Sequence, residues 1–300
     1  MRAEIISPVT VHSPLLAYRR NVASQFGEDG IIERICDVLG PAKRYCVEFG
    51  AWDGVYLSNT YNLVKNKKWR GVMLEANADK HAQLAKNYAH DDVVALNRYV
   101  AVSGRNSLDN ILSEIGAPAE IGVLSIDIDG NDYHIWESLE NFRPDLVVIE
   151  FNPSVPNDVL FVQDKSSDIN QGCSLLALIH LAKDKRYELV CATFCNAFFV
   201  KAEKYALFGI ENNSINAMYT PPQNGRIFQG YDGTIHVVGM DRLLWKGGRR
   251  VTSEDFQVLP QSSRFFEDTQ ARRCDPSAVR ALSMRWSGIL GRWLTMRPRR

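Results

Sequence analysis

Short apolar runs alternate along the chain with segments in which hydrophobic residues recur every three or four positions. The first such segment, residues 24–40, places Ile31, Ile35 and Leu39 on one face and ends at Gly40, a residue type that often terminates helices. The same spacing predicts helices over 58–67, 78–89, 107–116, 131–141 and 174–185. The apolar runs predict strands over 45–50, 69–77, 92–102, 120–130 and 144–154, with the final strands within 187–203.

This alternation of strands and helices is typical of βαβ units built around a parallel sheet. The strand runs are nearly continuously apolar, as in strands that helices cover on both faces. The sequence therefore predicts an α/β fold with a central, mostly parallel sheet flanked by helices, followed by a C-terminal elaboration.

The end of the chain has a different pattern. Residues 208–263 are rich in Gly, Asn and aromatic residues, and the stretch from Arg280 to Arg300 contains six arginines and no acid. Apolar residues in this stretch are three or four positions apart: Leu282, Trp286, Ile289, Trp293 and Met296. The pattern predicts a basic amphipathic helix, and two interpretations stay open. Its apolar stripe could dock on the protein or on a second subunit, or the helix could lie on an anionic membrane surface.

Composition narrows the classes of protein. The chain has 300 residues, of which 45% are hydrophobic and 23% charged, as in ordinary globular proteins. Its 35 basic and 35 acidic side chains give a net charge of zero, so we expect no nucleic-acid partner. The apolar runs fall short of the roughly 18 residues of a membrane span, and the N-terminal residues lack the features of a signal peptide, so we expect a cytoplasmic location. The six cysteines show no zinc-site spacing.

The turn after the first predicted strand reads Gly50, Ala51, Trp52, Asp53, Gly54. In open parallel sheets, ligands bind beyond the carboxyl ends of the strands, so this turn is the first candidate site. A dinucleotide fingerprint needs a glycine where Trp52 stands, and the sequence has no Walker-type Gly-Lys-Ser/Thr run. Glu48 and Asp53 place two carboxylates beside the turn, which suits a ligand with a positive centre. Glu75, at the end of the second strand, is placed to accept hydrogen bonds from two ribose hydroxyls.

Five segments have a characteristic order and spacing relative to these strands: SQFGEDGII, VEFGAWDG, GVMLEAN, SLDNIL and LSIDIDGNDYHIW. Together they extend over residues 24–153 and resemble the FkbM-like group of class I S-adenosylmethionine-dependent methyltransferases. The resemblance implies a Rossmann-like methyltransferase fold. It implies that Gly50, Asp53 and Gly54 line the methionine and ribose portion of S-adenosylmethionine and that Glu75 holds the ribose.

The resemblance also implies an activity and a domain organisation. We expect methyl transfer to oxygen, on a hydroxyl of a small-molecule or saccharide acceptor, in the biosynthesis of a polysaccharide, a glycolipid or a natural product. Gln25 and Asp29 would close the cofactor pocket from the N-terminal side. The expected domains are an N-terminal helical segment, a cofactor-binding domain, acceptor-side strands and loops, and the basic helix, over residues 1–40, 41–207, 208–263 and 264–300.

Carboxylates collect at the ends of predicted strands four and five. Asp127 and Asp129 share one face of strand four, and Glu150 and Asn152 share one face of strand five, because side chains alternate along a strand. Carboxylates brought together without matching bases need raised pKa values or a cation, and hard oxygen ligands suit Mg²⁺. Some sugar O-methyltransferases that resemble this group use a divalent metal. These four residues are therefore candidate ligands of Mg²⁺.

A second account of the same residues stays open. One carboxylate would bind the amino group of the cofactor, another would cap the helix that begins near Asn131, and a third would act as general base. On this account Asp127 and Asp129 are candidate catalytic residues, and His134, on the first turn of that helix, is a third. The alternatives to a methyltransferase are a non-catalytic binding protein of the same fold and an enzyme that uses NAD or a nucleotide sugar, which Trp52 disfavours.

Overall fold

The predicted central sheet is confirmed by the computed structural model, which describes residues 12–40, 44–222 and 225–264. Its seven strands are β1 (Tyr45–Phe49), β2 (Arg70–Glu75), β3 (Val93–Asn97), β4 (Val123–Ile126), β5 (Leu146–Glu150), β6 (Tyr187–Ala192) and β7 (Asn196–Lys201). They lie in the order β3-β2-β1-β4-β5-β7-β6. β1 to β5 pair in parallel, whereas β7 runs antiparallel to β5 and β6. The chain has the Rossmann-like fold of class I methyltransferases.

Helices lie where the hydrophobic spacing predicts them: α1 (Glu28–Leu39), α2 (Tyr61–Lys65), α3 (Ala78–Asn87), α4 (Leu108–Glu114), α5 (Asp132–Ser138) and α6 (Leu175–Asp184). The short helix α7 (Ile215–Met218) was not predicted. α1 ends at Gly40, whose φ of 88° suits glycine. The predicted cap of α4 is confirmed, because the Ser107 hydroxyl accepts a hydrogen bond from the Asn110 amide at 3.4 Å.

Hydrophobic cores cover both faces of the sheet. Along β1, Val47 and Phe49 are buried with Trp136 in one core, while Cys46 is buried with Met73 in the other. This alternation explains why the strands are apolar at nearly every position: each face packs against helices.

β3, β4 and β5 end earlier than predicted, and at the ends of β3 and β4 polar side chains hold the turns that follow. β4 ends at Ile126, since the Asp132 carboxylate accepts hydrogen bonds from the amides of Ile128 (2.9 Å) and Gly130 (2.8 Å) and folds residues 127–131 into a turn. β3 ends at Asn97, whose side-chain Nδ2 donates to the backbone carbonyl of Glu75 at 2.9 Å. Both turns lie at the carboxyl edge of the sheet.

The chain divides into two compact units, residues 1–225 and 226–300. Within its described part, the second unit contains an antiparallel hairpin of β8 (Arg226–Gln229) and β9 (Ile235–Val238), followed by the short 3-10 helices Ser253–Asp255 and Gln261–Ser263. The acceptor-side role of residues 208–263 stays a prediction. The predicted basic helix lies outside the described residues, which end at Arg264. Among the helices that the structure describes, none is both long and apolar enough to cross a bilayer.

Candidate active site

A cavity of about 230 Å³ lies at the carboxyl edge of the sheet, where β1, β2 and β4 end. We call it the first cavity. Its wall contains the strand ends, the segment after β3 and a stretch before α6: Phe49, Gly50, Leu74, Glu75, Ala76, Arg98, Tyr99, Val100, Ile128, Gly130, Asn131, Ser166, Ser167, Ile169 and Asn170. Open parallel sheets bind their ligands at this edge.

Glu75 is the acid in this wall. It ends β2 and is buried, with a relative exposure of 7%. One carboxylate oxygen accepts the Trp52 amide at 2.8 Å and the other accepts the Asn77 amide at 2.7 Å, so the side chain joins the turn after β1 to the turn after β2. Each oxygen retains a second lone pair, and Glu75 can therefore accept two further hydrogen bonds from a ligand in the first cavity.

Glycine is required at position 50 by the close approach of two strand ends. Its φ is 74°, and a Cβ atom would lie 1.8 Å from the carbonyl oxygen of Asp127. Gly54, also at φ 74°, packs against Leu84 and Tyr88 of the α3 region, where a Cβ atom would lie 2.4 Å from the Tyr88 ring. Gly50 lines the first cavity, whereas Gly54 is outside its wall and packs the turn after β1 against Leu84 and Tyr88.

Two of the predicted acids hold backbone. The Asp53 carboxylate accepts the amides of Val55 (2.9 Å) and Tyr56 (2.8 Å), which fixes the turn after β1. The Glu48 carboxylate is buried and faces residues 58–60, where it accepts the Ser58 hydroxyl, the Asn59 amide and the Thr60 hydroxyl at 2.6, 2.8 and 2.6 Å. Burial raises the pKa of Glu48, and the three hydrogen bonds oppose the shift. Neither acid is in the wall of the first cavity, and their contact with the cofactor stays a prediction.

Gln25 and Asp29, which were expected to close the cofactor pocket, are also outside this wall. Gln25 is exposed, and its backbone carbonyl accepts a hydrogen bond from the Asn21 side chain at 3.0 Å. Asp29 is buried, and its Oδ2 accepts the successive amides of Val22, Ala23 and Ser24 at 2.7, 2.9 and 2.8 Å. Asp29 therefore organises the segment that leads into α1.

Three acids meet beyond the ends of β4 and β5. Carboxylate oxygens of Asp127, Asp129 and Glu150 lie within 4.8 Å of one another. Burial, followed by the neighbouring carboxylates, raises the pKa of Glu150 to about 10 and that of Asp127 well above its usual range. The two groups share a hydrogen bond, so at neutral pH at least one of them keeps a proton unless a cation is present. We call these three residues the acid cluster.

The loop that carries the acid cluster is held by Asp132. Its two amide hydrogen bonds leave Asp129 at φ 55°, a left-handed conformation that aspartate tolerates better than most residues. Burial raises the pKa of Asp132 to about 6, and the backbone amides oppose that rise. Ile128 and Gly130, which alternate with the acids along this loop, line the first cavity. The acid cluster thus adjoins the first cavity.

Two predicted site residues lie outside the acid cluster. Asn152 comes after the end of β5, and its side-chain oxygen accepts the amide (3.0 Å) and hydroxyl (2.6 Å) of Ser154; its role as a metal ligand stays a prediction. His134 is buried, and its Nε2 donates to the carbonyl of Gln163 at 2.8 Å, so the ring faces the loop before α6. It is absent from the acid cluster and from the wall of the first cavity within the described residues.

One residue beside the acid cluster was not predicted. Asn196 begins β7 directly opposite Glu150 in the β5–β7 register, which places the two side chains on the same face of the sheet. Asn196 is 4% exposed, and its Oδ1 has no hydrogen-bond partner among the described residues. An asparagine inside the apolar run 187–203 was the available signal, but the pairing partner follows only from the antiparallel register.

No protein-family model and no curated protein sequence matches the chain. Solved structures with a similar fold include the N-terminal domain of EvdMO1 with SAH bound, at 11% identity over 58% of this chain and 80% of that chain (TM-score 0.39). A SAM-dependent methyltransferase from Aquifex aeolicus has 10% identity over 56% and 88% (TM-score 0.31). The glycopeptide N-methyltransferase MtfA complexed with SAM has 11% identity over 59% and 93% (TM-score 0.35). The strand order by itself defines the fold.

Proposed function

We propose that this protein is an S-adenosylmethionine-dependent methyltransferase that acts on a hydroxyl oxygen of a saccharide or similar polar acceptor. The observation that carries the proposal is the placement of the acid cluster beside a cavity that contains Glu75 and Gly50 in its wall. One end of such a site suits a nucleoside and the other suits a hydroxyl that must lose a proton.

The residues around the first cavity fit the parts of the cofactor. Glu75 has two free acceptor positions for ribose hydroxyls, and the missing side chain of Gly50 lets a ligand approach the backbone where β1 and β4 meet. Leu74, Val100 and Ile128 provide apolar contacts for a flat base. S-adenosylmethionine supplies a methyl group already activated on a cationic sulfonium. The negative charge near the cavity would favour that cation over its neutral product.

The acid cluster supports the hydroxyl part of the proposal in either of two ways. An ionised carboxylate of Asp127 or Asp129 can accept the proton of the acceptor hydroxyl. Alternatively, the three oxygens can bind Mg²⁺, because ligands at about 2.1 Å from one ion lie up to about 4 Å apart. The 4.8 Å spread of the acid cluster then needs only a small side-chain adjustment. Either role places the acceptor oxygen at the end of β4 and β5.

The test is calorimetric titration with S-adenosylmethionine and S-adenosylhomocysteine, with and without Mg²⁺. We expect Glu75→Gln to weaken binding of both ligands at least tenfold, since each lost hydrogen bond to a charged group is worth about 1.5–3 kcal/mol. Asp79→Asn is the matched control: it removes an exposed carboxylate from the first turn of α3, close to Glu75, and should leave affinity unchanged. Thermal melting of each variant verifies that it is folded.

Absence of binding by the folded wild type would refute the proposal and favour a binding protein of another kind. NAD and a nucleotide sugar are the comparison ligands for that outcome. If binding is found, transfer of a ¹³C-labelled methyl group identifies the modified atom, because NMR separates oxygen-bound from nitrogen-bound methyl groups. A methyl group on nitrogen would support methyltransferase activity but contradict oxygen as the acceptor atom.

A further inference from the structure

A second cavity lies at the same edge of the sheet, with a volume of about 370 Å³. The residues that matter for its chemistry are Arg19, Phe26, Thr193, Phe194 and Tyr219. Its volume is within the range of small-ligand pockets. None of the roles proposed for the first cavity uses these residues.

The turn from β6 to β7 connects the second cavity to the acid cluster. β5 and β6 both run antiparallel to β7, so both end at the carboxyl edge. Thr193 and Phe194 line the second cavity, and two residues further along the chain Asn196 stands opposite Glu150. The Phe151 amide also donates to the Cys195 carbonyl at 2.7 Å, which fastens the turn to the end of β5. The same turn therefore carries wall residues of the second cavity and leads into Asn196, the partner of Glu150 in the acid cluster.

Aromatic side chains form one wall of the second cavity. The rings of Phe26 and Phe194 lie 4.8 Å apart at an angle of 36°. The Tyr219 hydroxyl donates to the Phe194 carbonyl at 2.9 Å, which fixes the loop that carries this ring. Aromatic walls with a few polar groups suit ligands that have an apolar face and a hydroxylated edge, as sugar rings do.

The second cavity has a cationic side chain in its wall. Arg19 is a permanent cation in its wall, and no Asp or Glu is present in that wall within the described residues. The buried Glu28 is not in the wall, but its carboxylate binds two residues that are: it accepts the Thr193 hydroxyl at 2.7 Å and the Phe26 amide at 2.5 Å.

We propose that the second cavity binds a sugar that carries an anionic group, a phosphate or a carboxylate, with Arg19 pairing with the anion and the rings of Phe26 and Phe194 contacting the sugar. The bound sugar would direct a hydroxyl towards Glu150 and Asn196. The buried Oδ1 of Asn196, which has no partner among the described residues, can accept that hydroxyl's hydrogen bond. As an identification of the acceptor, this inference rests on the proposed methyltransferase function.

The experiment measures dissociation constants by saturation-transfer NMR for α-D-glucose 1-phosphate, D-glucuronate and D-glucose, with the full chain saturated in S-adenosylhomocysteine. We expect at least one anionic sugar to bind tenfold or more tightly than glucose. Arg19→Gln should remove that preference and Arg19→Lys should retain part of it. Arg20→Gln is the matched control, because Arg20 pairs with Glu33 at 2.6 Å and does not line the second cavity.

The comparison of the two anionic sugars distinguishes a phosphate from a carboxylate. Equal binding of all three sugars, no binding of either anionic sugar, or an unchanged preference in folded Arg19→Gln would overturn the inference. Calorimetry with S-adenosylmethionine on the same preparation separates the two proposals. If the cofactor binds but anionic sugars are not preferred, only the inference about the second cavity is refuted. If an anionic sugar binds but the cofactor does not, the proposed methyltransferase function is refuted and the second cavity is a saccharide-binding site.

Discussion

Replacing Glu150 with glutamine should stabilise the folded protein at neutral and alkaline pH. The pKa of Glu150 rises from an ordinary 4.5 to about 10 in the folded state, with burial as the largest cause and the other acids next. Between these values the folded state binds more protons than the unfolded state, so the free energy of unfolding falls as pH rises. The loss is about 1.4 kcal/mol per pH unit, which makes it on the order of 3 kcal/mol at pH 7. Glutamine has no proton to lose and can still donate to Asp127.

Urea unfolding of wild type and Glu150→Gln at pH 5, 7 and 8.5 measures this difference. We expect the variant to be more stable by roughly 3 kcal/mol at pH 7, by more at pH 8.5, and by less than about 1 kcal/mol at pH 5. Glu140→Gln is the control, because this exposed carboxylate has no contact with the acid cluster and its stability difference should stay constant with pH.

Mg²⁺ provides the second arm of the same experiment. A cation that binds only the folded acid cluster stabilises by about 2.7 kcal/mol at a hundredfold excess over its dissociation constant. We expect that gain in wild type at pH 8.5 and a much smaller one in Glu150→Gln, which lacks one ligand. A variant that is less stable than wild type at pH 8.5, or a stability difference that does not change with pH, would show that folding does not raise the pKa of Glu150.

Two further variants test the backbone around the site by the same unfolding assay. Gly50→Ala should lower the free energy of unfolding by more than about 3 kcal/mol or prevent folding. Gly40→Ala is the control: its φ is similar, but no atom lies within 4 Å of its Cβ position, so the loss should be about 1 kcal/mol. Equal losses would contradict the close approach at Gly50. Asp29→Ala should lose about 3 kcal/mol, because four donors lose their acceptor, and Ser24→Ala about 1 kcal/mol; a neutral Asp29→Ala would contradict its role in ordering residues 22–24.

Strands and helices of the first unit could be predicted because each has a one-dimensional signal. β1 and β5 are apolar at almost every position since both faces of the sheet are covered, and that property is visible in sequence. The end of β4 was not visible, because it depends on a carboxylate six residues further along, Asp132, that takes two amides out of the strand. Strand ends are set by such local competition for hydrogen bonds.

The residues of the site could also be predicted only as far as the regular alternation of side chains along the strands extends. The sequence predicted the proximity of Asp127, Asp129 and Glu150, because the carboxyl ends of neighbouring parallel strands lie at one edge of the sheet. Asn152 could not be placed this way, since the rule of alternating side chains stops where β5 stops, at Glu150. Asn196 depends on an antiparallel pairing between strands separated by more than 40 residues, and hydrophobic patterns do not encode register at that range.

The acid cluster is difficult to explain as a structural feature. The glycine and the backbone-holding acids around the first cavity each satisfy a packing or hydrogen-bonding requirement of the fold, as Gly50 and Asp132 do. Burial and the neighbouring carboxylates instead raise the pKa values of Asp127 and Glu150, which destabilises the folded chain at neutral pH. Carboxylates with strongly raised pKa values cluster at sites that bind a ligand or catalyse a reaction. A ligand that carries positive charge, as Mg²⁺ does, or that donates a proton, as the acceptor hydroxyl of the proposed methyl transfer does, would relieve the mutual repulsion of these acids.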